Sequence, residues 1–266
     1  MGEQELAKIK KQNYKDPRPA ELFAPLHERI RNREANWMYE AVRMVLTPIV
    51  VFLFRGRCIS SDKVPAYGPV ILAPNHFSNM DHFFMAAFIR RRVSFVAKSQ
   101  LYFINPILDK VFLWGGVLPI RRGARDEEGF ITMRKVLERG GSIVMYAEGG
   151  RSRSGALSDT VKPGLGRLAL ETGAPIVPVA IYGSAKARNW KRGQLPKVTV
   201  QYGDAFRYEK VENPTREQSQ ACSEEIFADV RTLYTALEHH GRKGMIRRVR
   251  EERRLERRGA RSTQPA

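Results

Sequence analysis

From residue 67 onward, short apolar runs alternate with longer stretches that are apolar on one side only. The runs PVILA (69–73), RVSFVAK (92–98), GVLPI (116–120), SIVMYA (142–147), PIVPVAIYG (175–183) and KVTVQYG (197–203) predict strands by their length and β-branched content. The stretches 81–89, 104–114, 126–141, 164–174 and 216–240 predict helices. The segment 126–141 is the plainest. Acidic residues open it, where they suit the helix dipole. Phe130, Ile131, Met133, Val136 and Leu137 supply a buried side, and Gly140 with Gly141 stops it. Pro106 falls in the first turn of its helix, where it is tolerated. Strands alternating with helices of about a dozen residues predict an α/β fold: a mixed, largely parallel sheet flanked by helices. No internal repeat is present.

The flanks differ in pattern. Residues 1–25 are charged and broken by Pro17 and Pro19, which predicts a loosely ordered arm. Residues 26–54 are helical in pattern. Trp37, Tyr39, Val42, Met44 and Val45 form a rough apolar face, with Arg29, Arg31, Arg33 and Arg43 elsewhere. The longest apolar run, Met44 to Phe54, holds eleven residues, against the roughly 20 a helix needs to cross hydrocarbon. Arg43 bounds it on one side and Arg55 and Arg57 on the other. It is either a buried core helix or an interfacial segment whose arginines hold lipid phosphates. After residue 240 the chain turns polar. Met245, Ile246, Val249 and Leu255 make a thin stripe, fitting a solvated, partly helical tail or a clasp for anionic lipid or nucleic acid.

Charge sharpens this outline. The 266 residues carry a net +18, of which 242–261 contribute ten Arg or Lys against three Glu. The remaining +11 makes the body basic in its own right, and a polyanionic partner follows. The tail has no aromatic interleaving and no nucleic-acid motif, which disfavours nucleic acid. Cys58 and Cys222 lack metal-ligand spacing, and no metal site is visible. The first residues carry no secretory apolar core, and Leu6 stands where a myristoylation signal wants Ser or Thr.

Three segments carry candidate chemistry. In the first, His76 and Asp81 follow the strand 69–73 and open the helix 81–89. A His and an Asp at that spacing occur by chance in about one such chain in seven, so placement carries the weight. Ligands gather at the carboxyl ends of strands in such folds. Within one helix the two side chains would diverge by about 140°. Across a loop-to-helix junction His76 can fold back over the helix start, with Ser78 or Asn79 as the cap. Asp81 then accepts from one ring nitrogen and leaves the other as a base. His82, one position on, points elsewhere. The second segment ends a strand with Arg121 and Arg122, of which alternation turns one inward; together they suit phosphate. The third, Glu148, Gly149, Gly150, Arg151 and Ser152, runs straight off a strand. Its glycines admit a close ligand and Arg151 supplies charge. Lys162 and Gly164 follow before the next helix.

In order, the blocks are Asn75-His76-x4-Asp81, a glycine-rich stretch ending at Arg122, Glu148-Gly149-Gly150-Arg151-Ser152, and the strand around Pro178. Together they resemble glycerolipid acyltransferases of the 1-acylglycerol-3-phosphate O-acyltransferase (PlsC-like) family, over roughly residues 60–205. The resemblance implies the glycerolipid acyltransferase fold with a membrane-associating N-terminal helical segment. It divides the chain into an arm (1–25), an interfacial helical segment (26–57), an acyltransferase domain (58–240) and a basic tail (241–266). His76 is then the general base and Asp81 its partner. Asn75, Arg122, Glu148, Gly149, Gly150 and Arg151 face the substrate, and Pro178 shapes the acyl site. No cofactor is implied; acyl-CoA or acyl carrier protein is the co-substrate. The acceptor is a lysophospholipid, by family default 1-acylglycerol-3-phosphate, giving phosphatidic acid at the cytoplasmic face of a membrane. The chain departs from the family at Tyr146 and Ala147, usually Phe and Pro, and at Gly150, usually Thr. Another acceptor, or a lipid-binding homologue without chemistry, therefore stays open.

An acyl thioester is already activated, so a His–Asp pair suffices and no covalent acyl-enzyme is needed. No nucleophile elbow surrounds Ser78.

Overall fold

The computed structural model describes residues 16–121, 126–152 and 154–262. Seven strands form one sheet: β1 (Arg57–Ile59), β2 (Val70–Pro74), β3 (Ser94–Lys98), β4 (Leu118–Ile120), β5 (Ser142–Val144), β6 (Ile176–Tyr182) and β7 (Thr199–Tyr202). Their spatial order is β1-β7-β6-β2-β5-β3-β4. Every pair is parallel except β6 with β7. The helices are α1 (Ala24–Asn32), α2 (Trp37–Pro48), α3 (Asp81–Ala86), α4 (Pro106–Trp114), α5 (Glu127–Glu138), α6 (Gly164–Thr172) and α7 (Arg216–Ser262). The α/β architecture is the one the alternating runs predict. The three-residue β1 is too short to leave a pattern.

The central strand β2 is buried along its whole length, as a parallel strand covered on both faces must be. Val70 and Leu72 face the side of α2 and α3, with Val177, Val179 and Ile181 of β6. Ile71 and Ala73 face α5, α6 and α7, with Met133, Leu165, Leu168 and Phe227. Pro178 sits inside β6 without breaking the sheet, because the ladder to β7 runs only over Val179–Tyr182. Helix α6 lies very close to α7, where the Gly166 N–H donates to Ser223 Oγ at 2.7 Å.

Arginines hold the loops by donating to backbone carbonyls. Arg91 reaches the carbonyls of Pro65, Gly68 and Gly140. Arg139 reaches those of Ile30, Arg31 and Arg33. Arg18 reaches Ser99 and Tyr102.

Those contacts alter the outline of the flanks. The loosely ordered arm lies outside the described residues up to 15, but residues 16–25 pack on the domain. There Asp16 is buried beside Arg18 and Ser99, and Phe23 is buried. The face predicted on residues 37–45 does not turn inward: Tyr39 is buried, while Trp37, Met44 and Val45 are exposed. Pro48 breaks the helical ladder, and Ile49–Leu53 continue as one wider turn. Arg43 is occupied by Glu40 and the Ile89 carbonyl, and Arg55 donates to the Leu195 carbonyl. No described helix is long and apolar enough to cross a membrane. In α5, Phe130 and Ile131 are only half-buried; Thr132 and Gly129 take the inner positions.

The tail also departs from a solvated extension. At Gly241 (φ 62°, ψ 171°) α7 is kinked. Met245 then packs with Ile59, Ala180 and Leu237. Arg242 holds Val198 O, Arg55 O and Thr199 Oγ1, and Arg253 pairs with Asp62. Lys243, Arg247, Arg250, Arg254 and Arg257 form an exposed stripe at helical spacing along this second arm.

Candidate active site

The site grows from the carboxyl end of β2. Asn75 is fully buried; its Nδ2 donates to Ile181 O and its Oδ1 accepts from Ile181 N, at 3.2 and 2.7 Å. Asn75 therefore ties the loop to β6 instead of facing substrate as the resemblance implied. The chain then turns before α3, and His76 folds back over the helix start. Asp81 Oδ2 lies 3.0 Å from His76 Nδ1 and accepts from the N–H groups of Phe77 and Ser78 at 2.7 and 2.8 Å. Three donors on one oxygen fix the carboxylate, which in turn fixes the imidazole. Neither Ser78 nor Asn79 caps α3 by side chain. Ser78 Oγ accepts instead from Met80 N, two residues on, and the residue is 1% exposed, so it is no nucleophile.

A second loop, 145–152, locks onto the first through the backbone of His76. The His76 N–H donates to Glu148 Oε2 at 3.3 Å, and the His76 carbonyl accepts from Ser152 N at 2.9 Å. Gly149 has φ +63°, and a Cβ there would meet Lys162 Cγ at 2.8 Å, which explains glycine at that position. Burial pushes the Glu148 carboxyl up to about 7, with the Asp81 charge adding and the His76 N–H opposing. Gly150 is half-buried and Arg151 exposed. Arg122 lies outside the described residues. Arg121 is spent on structure: its N–H donates to Asp126 and its guanidinium to the Arg18 carbonyl.

His82 does not point elsewhere. Its ring lies 5.4 Å from that of His76, between Phe95 and Tyr146, because His76 has left the helix and meets it from the preceding loop. Tyr146 stacks on His76 with centroids 3.9 Å apart. The sequence shows Tyr146 only as a departure from the family pattern, and its partnership with two histidines has no periodic signal. From α7, Tyr234 meets Phe77 edge to face.

Of these rings, His82 and Phe95 line a cavity of about 440 Å³. Val42, Leu46, Phe83, Leu108 and Val111 are among its apolar walls, and His82 and Asn79 supply polar edges. Its size suits a small ligand or chain. The lining is spread over α2, α3, β3 and α4, so no single run of sequence betrays it.

The chain has counterparts among known proteins. Residues 55–182 match the family described as Acyltransferase. A probable 1-acyl-sn-glycerol-3-phosphate acyltransferase of Mycoplasma genitalium is 32% identical over 134 residues, 47% of this chain and 48% of that protein. A chloroplastic 1-acyl-sn-glycerol-3-phosphate acyltransferase of Brassica napus is 27% identical over 122 residues, 44% of this chain and 34% of that one. The chain thus spans about a third to a half of the curated relatives it matches. The crystal structure of the 1-acyl-sn-glycerophosphate acyltransferase PlsC from Thermotoga maritima shares the fold, at a TM-score of 0.56 and 22% identity. That likeness covers 73% of this chain and 80% of the other. The PlsC-like resemblance expected from the four blocks is found in both sequence and fold.

Proposed function

We propose that the protein is an O-acyltransferase that moves a fatty acyl group from a thioester to a hydroxyl of a lysophospholipid, with 1-acylglycerol-3-phosphate as the acceptor and phosphatidic acid as the product. The observation that carries this reading is the Asp81–His76 pair at the end of β2, with His82, 5.4 Å from the His76 ring, lining an apolar cavity. With Nδ1 engaged by the carboxylate, Nε2 is the nitrogen that takes the acceptor's proton as its oxygen attacks the thioester carbonyl. The thiol leaves with a proton, and no acyl-enzyme forms. The cavity takes the acyl chain. The loop 148–151, with Gly150 and Arg151, meets the acceptor head. Acyl-CoA or an acyl carrier protein is the donor.

The enzyme works at a membrane surface, bound peripherally. In support, Met44, Val45 and Phe52 near α2, and Ile104 and Ile107 near α4, are each 66% exposed or more, and both helices line the cavity. A long acyl chain could pass between bilayer and cavity without crossing water.

The test is direct. Purified protein is incubated with acyl-CoA or acyl carrier thioester, a panel of lysolipids and vesicles, and products are identified by mass. Phosphatidic acid formed by the wild type, and lost by orders of magnitude in a folded His76→Ala variant, supports the reading. Absence of any transfer, or undiminished transfer by His76→Ala, sinks it.

A further inference from the structure

The catalytic imidazole shares its supporting ring with a second imidazole. The Tyr146 ring stacks on His76 at 3.9 Å and 23° between planes, and its hydroxyl lies 2.9 Å from His82 Nδ1. His82 is held on its other side by Phe95, at 5.2 Å between centroids and 19° between planes. It lines the apolar cavity, where polar groups are few. Burial, with the Asp81 and Glu148 carboxylates nearby, pushes the Tyr146 phenol well above its ordinary range, so the hydroxyl keeps its proton. A phenol that keeps its proton can donate to Nδ1. When the phenol donates to Nδ1, the ring proton sits on Nε2 and that N–H points away from Tyr146.

Acyl transfer needs such a donor. When the acceptor oxygen attacks, the thioester carbonyl oxygen becomes an oxyanion, and a fixed hydrogen-bond donor there lowers the barrier. The attacked carbon must come within about 3–3.5 Å of an oxygen that is itself hydrogen-bonded to His76. Its acyl chain must enter the cavity that His82 lines. With the two rings 5.4 Å apart, one bound thioester is within reach of both.

Building on the acyltransferase reading, we propose that His82 is a second catalytic residue, whose Nε2–H donates to the thioester carbonyl oxygen, and that Tyr146 is the positioning residue that sets its tautomer. The balance is simple. His76 takes the hydroxyl proton as the new C–O bond forms, and His82 holds the oxyanion without giving up its own proton. Collapse breaks the C–S bond, and the thiolate leaves with the proton that His76 carried. Tyr146, where the family usually has Phe, thus adds a function to a position that elsewhere supplies a ring alone.

Three variants and one spectrum test this. His82→Phe keeps a ring between Tyr146 and Phe95 but has no donor. It should lower kcat about 10²-fold at unchanged KM for the acceptor. His82→Gln, which restores an N–H donor, should recover about tenfold of that loss. Tyr146→Phe keeps the stack and should cost about three- to tenfold in kcat. The ¹⁵N shifts of His82 in the unmodified protein should report the neutral Nε2–H tautomer, and Tyr146→Phe should mix the tautomers. Near wild-type kcat in His82→Phe overturns the proposal, as does a wild-type spectrum showing the Nδ1–H tautomer or a charged ring. The spectrum stands even where a variant fails to fold. If the wild type transfers no acyl group at all, the broader reading fails; if it does, and only His76→Ala is inactive, this proposal alone fails.

Discussion

Asn75 and Ile181, 106 positions apart, exchange two hydrogen bonds: the Asn75 side-chain amide both donates to and accepts from the Ile181 backbone. The residue before the catalytic imidazole is thereby pinned to the strand next door. Asn75→Ala leaves a buried N–H and a buried C=O without partners. It should lower stability by about 2–4 kcal/mol, measured by urea unfolding. A loss below about 0.5 kcal/mol would mean that water replaces the amide.

Asp81 supplies charge to His76 and an acceptor to two backbone N–H groups. Asp81→Asn removes only the first. Its amide oxygen can still take the Phe77 and Ser78 N–H groups, so the melting temperature should change little while kcat falls roughly 10²–10⁴-fold. Asp81→Ala removes both, and should add an unfolding penalty of about 1–3 kcal/mol. Equal stability in the two variants would count against the loop-holding role.

Glu148 sets a pH-dependent cost. Its carboxyl goes from an ordinary 4.5 to about 7 on folding. The folded state favours the protonated form, so no penalty exists below pH 4.5. It grows as pH rises to about 7 and is constant above, on the order of 3 kcal/mol. Glu148→Gln should therefore raise stability at pH 8 and leave it unchanged near pH 4.5. An equal gain at both pH values would be inconsistent with the shift.

Gly166 is where α6 touches α7. A Cβ at this position would stand 2.1 Å from Ser219 O and 2.7 Å from Ser223 N, both backbone atoms. Gly166→Ala should cost about 3 kcal/mol or more. Gly164→Ala is the control: its Cβ meets the flexible end of Met145 at 2.9 Å, and should cost about 1 kcal/mol or less. Calorimetry on both variants decides the point.

Val111 lines the apolar cavity. Val111→Trp should fill part of it and shift donor preference toward shorter acyl chains, with kcat on those chains retained. Parallel loss on short and long donors would place the acyl chain elsewhere.

The sheet was legible because its strands are apolar on both faces and separated by helices of regular length. The His76–Asp81 pair was legible because its elements are adjacent in sequence and the junction is local. Nothing local to Asn75 signals its structural role, because its partner is 106 residues away. Helical spacing turns His82 away from His76 only if both lie in one helix, and the pair straddles the helix start. The kink in α7 hangs on one glycine, Gly241, at a positive φ that composition does not reveal. Of the stripe Met245, Ile246, Val249 and Leu255, the first three pack inward and Leu255 is exposed; the tail's own sequence carries no sign of the residues they cover.

Arg91, Arg139 and Arg242 spend their donors on main-chain oxygens rather than on acids. They act as mortar. A guanidinium seated among three carbonyls is a fork matched to dipoles at contact range, which dissolved ions screen far less than they screen exposed charges. Lysine, a single ammonium on a flexible stem, cannot fill such a seat. Ionic strength should divide this molecule in two: the stripe along the second arm of α7 fades in salt, while the seams beneath the sheet stay set.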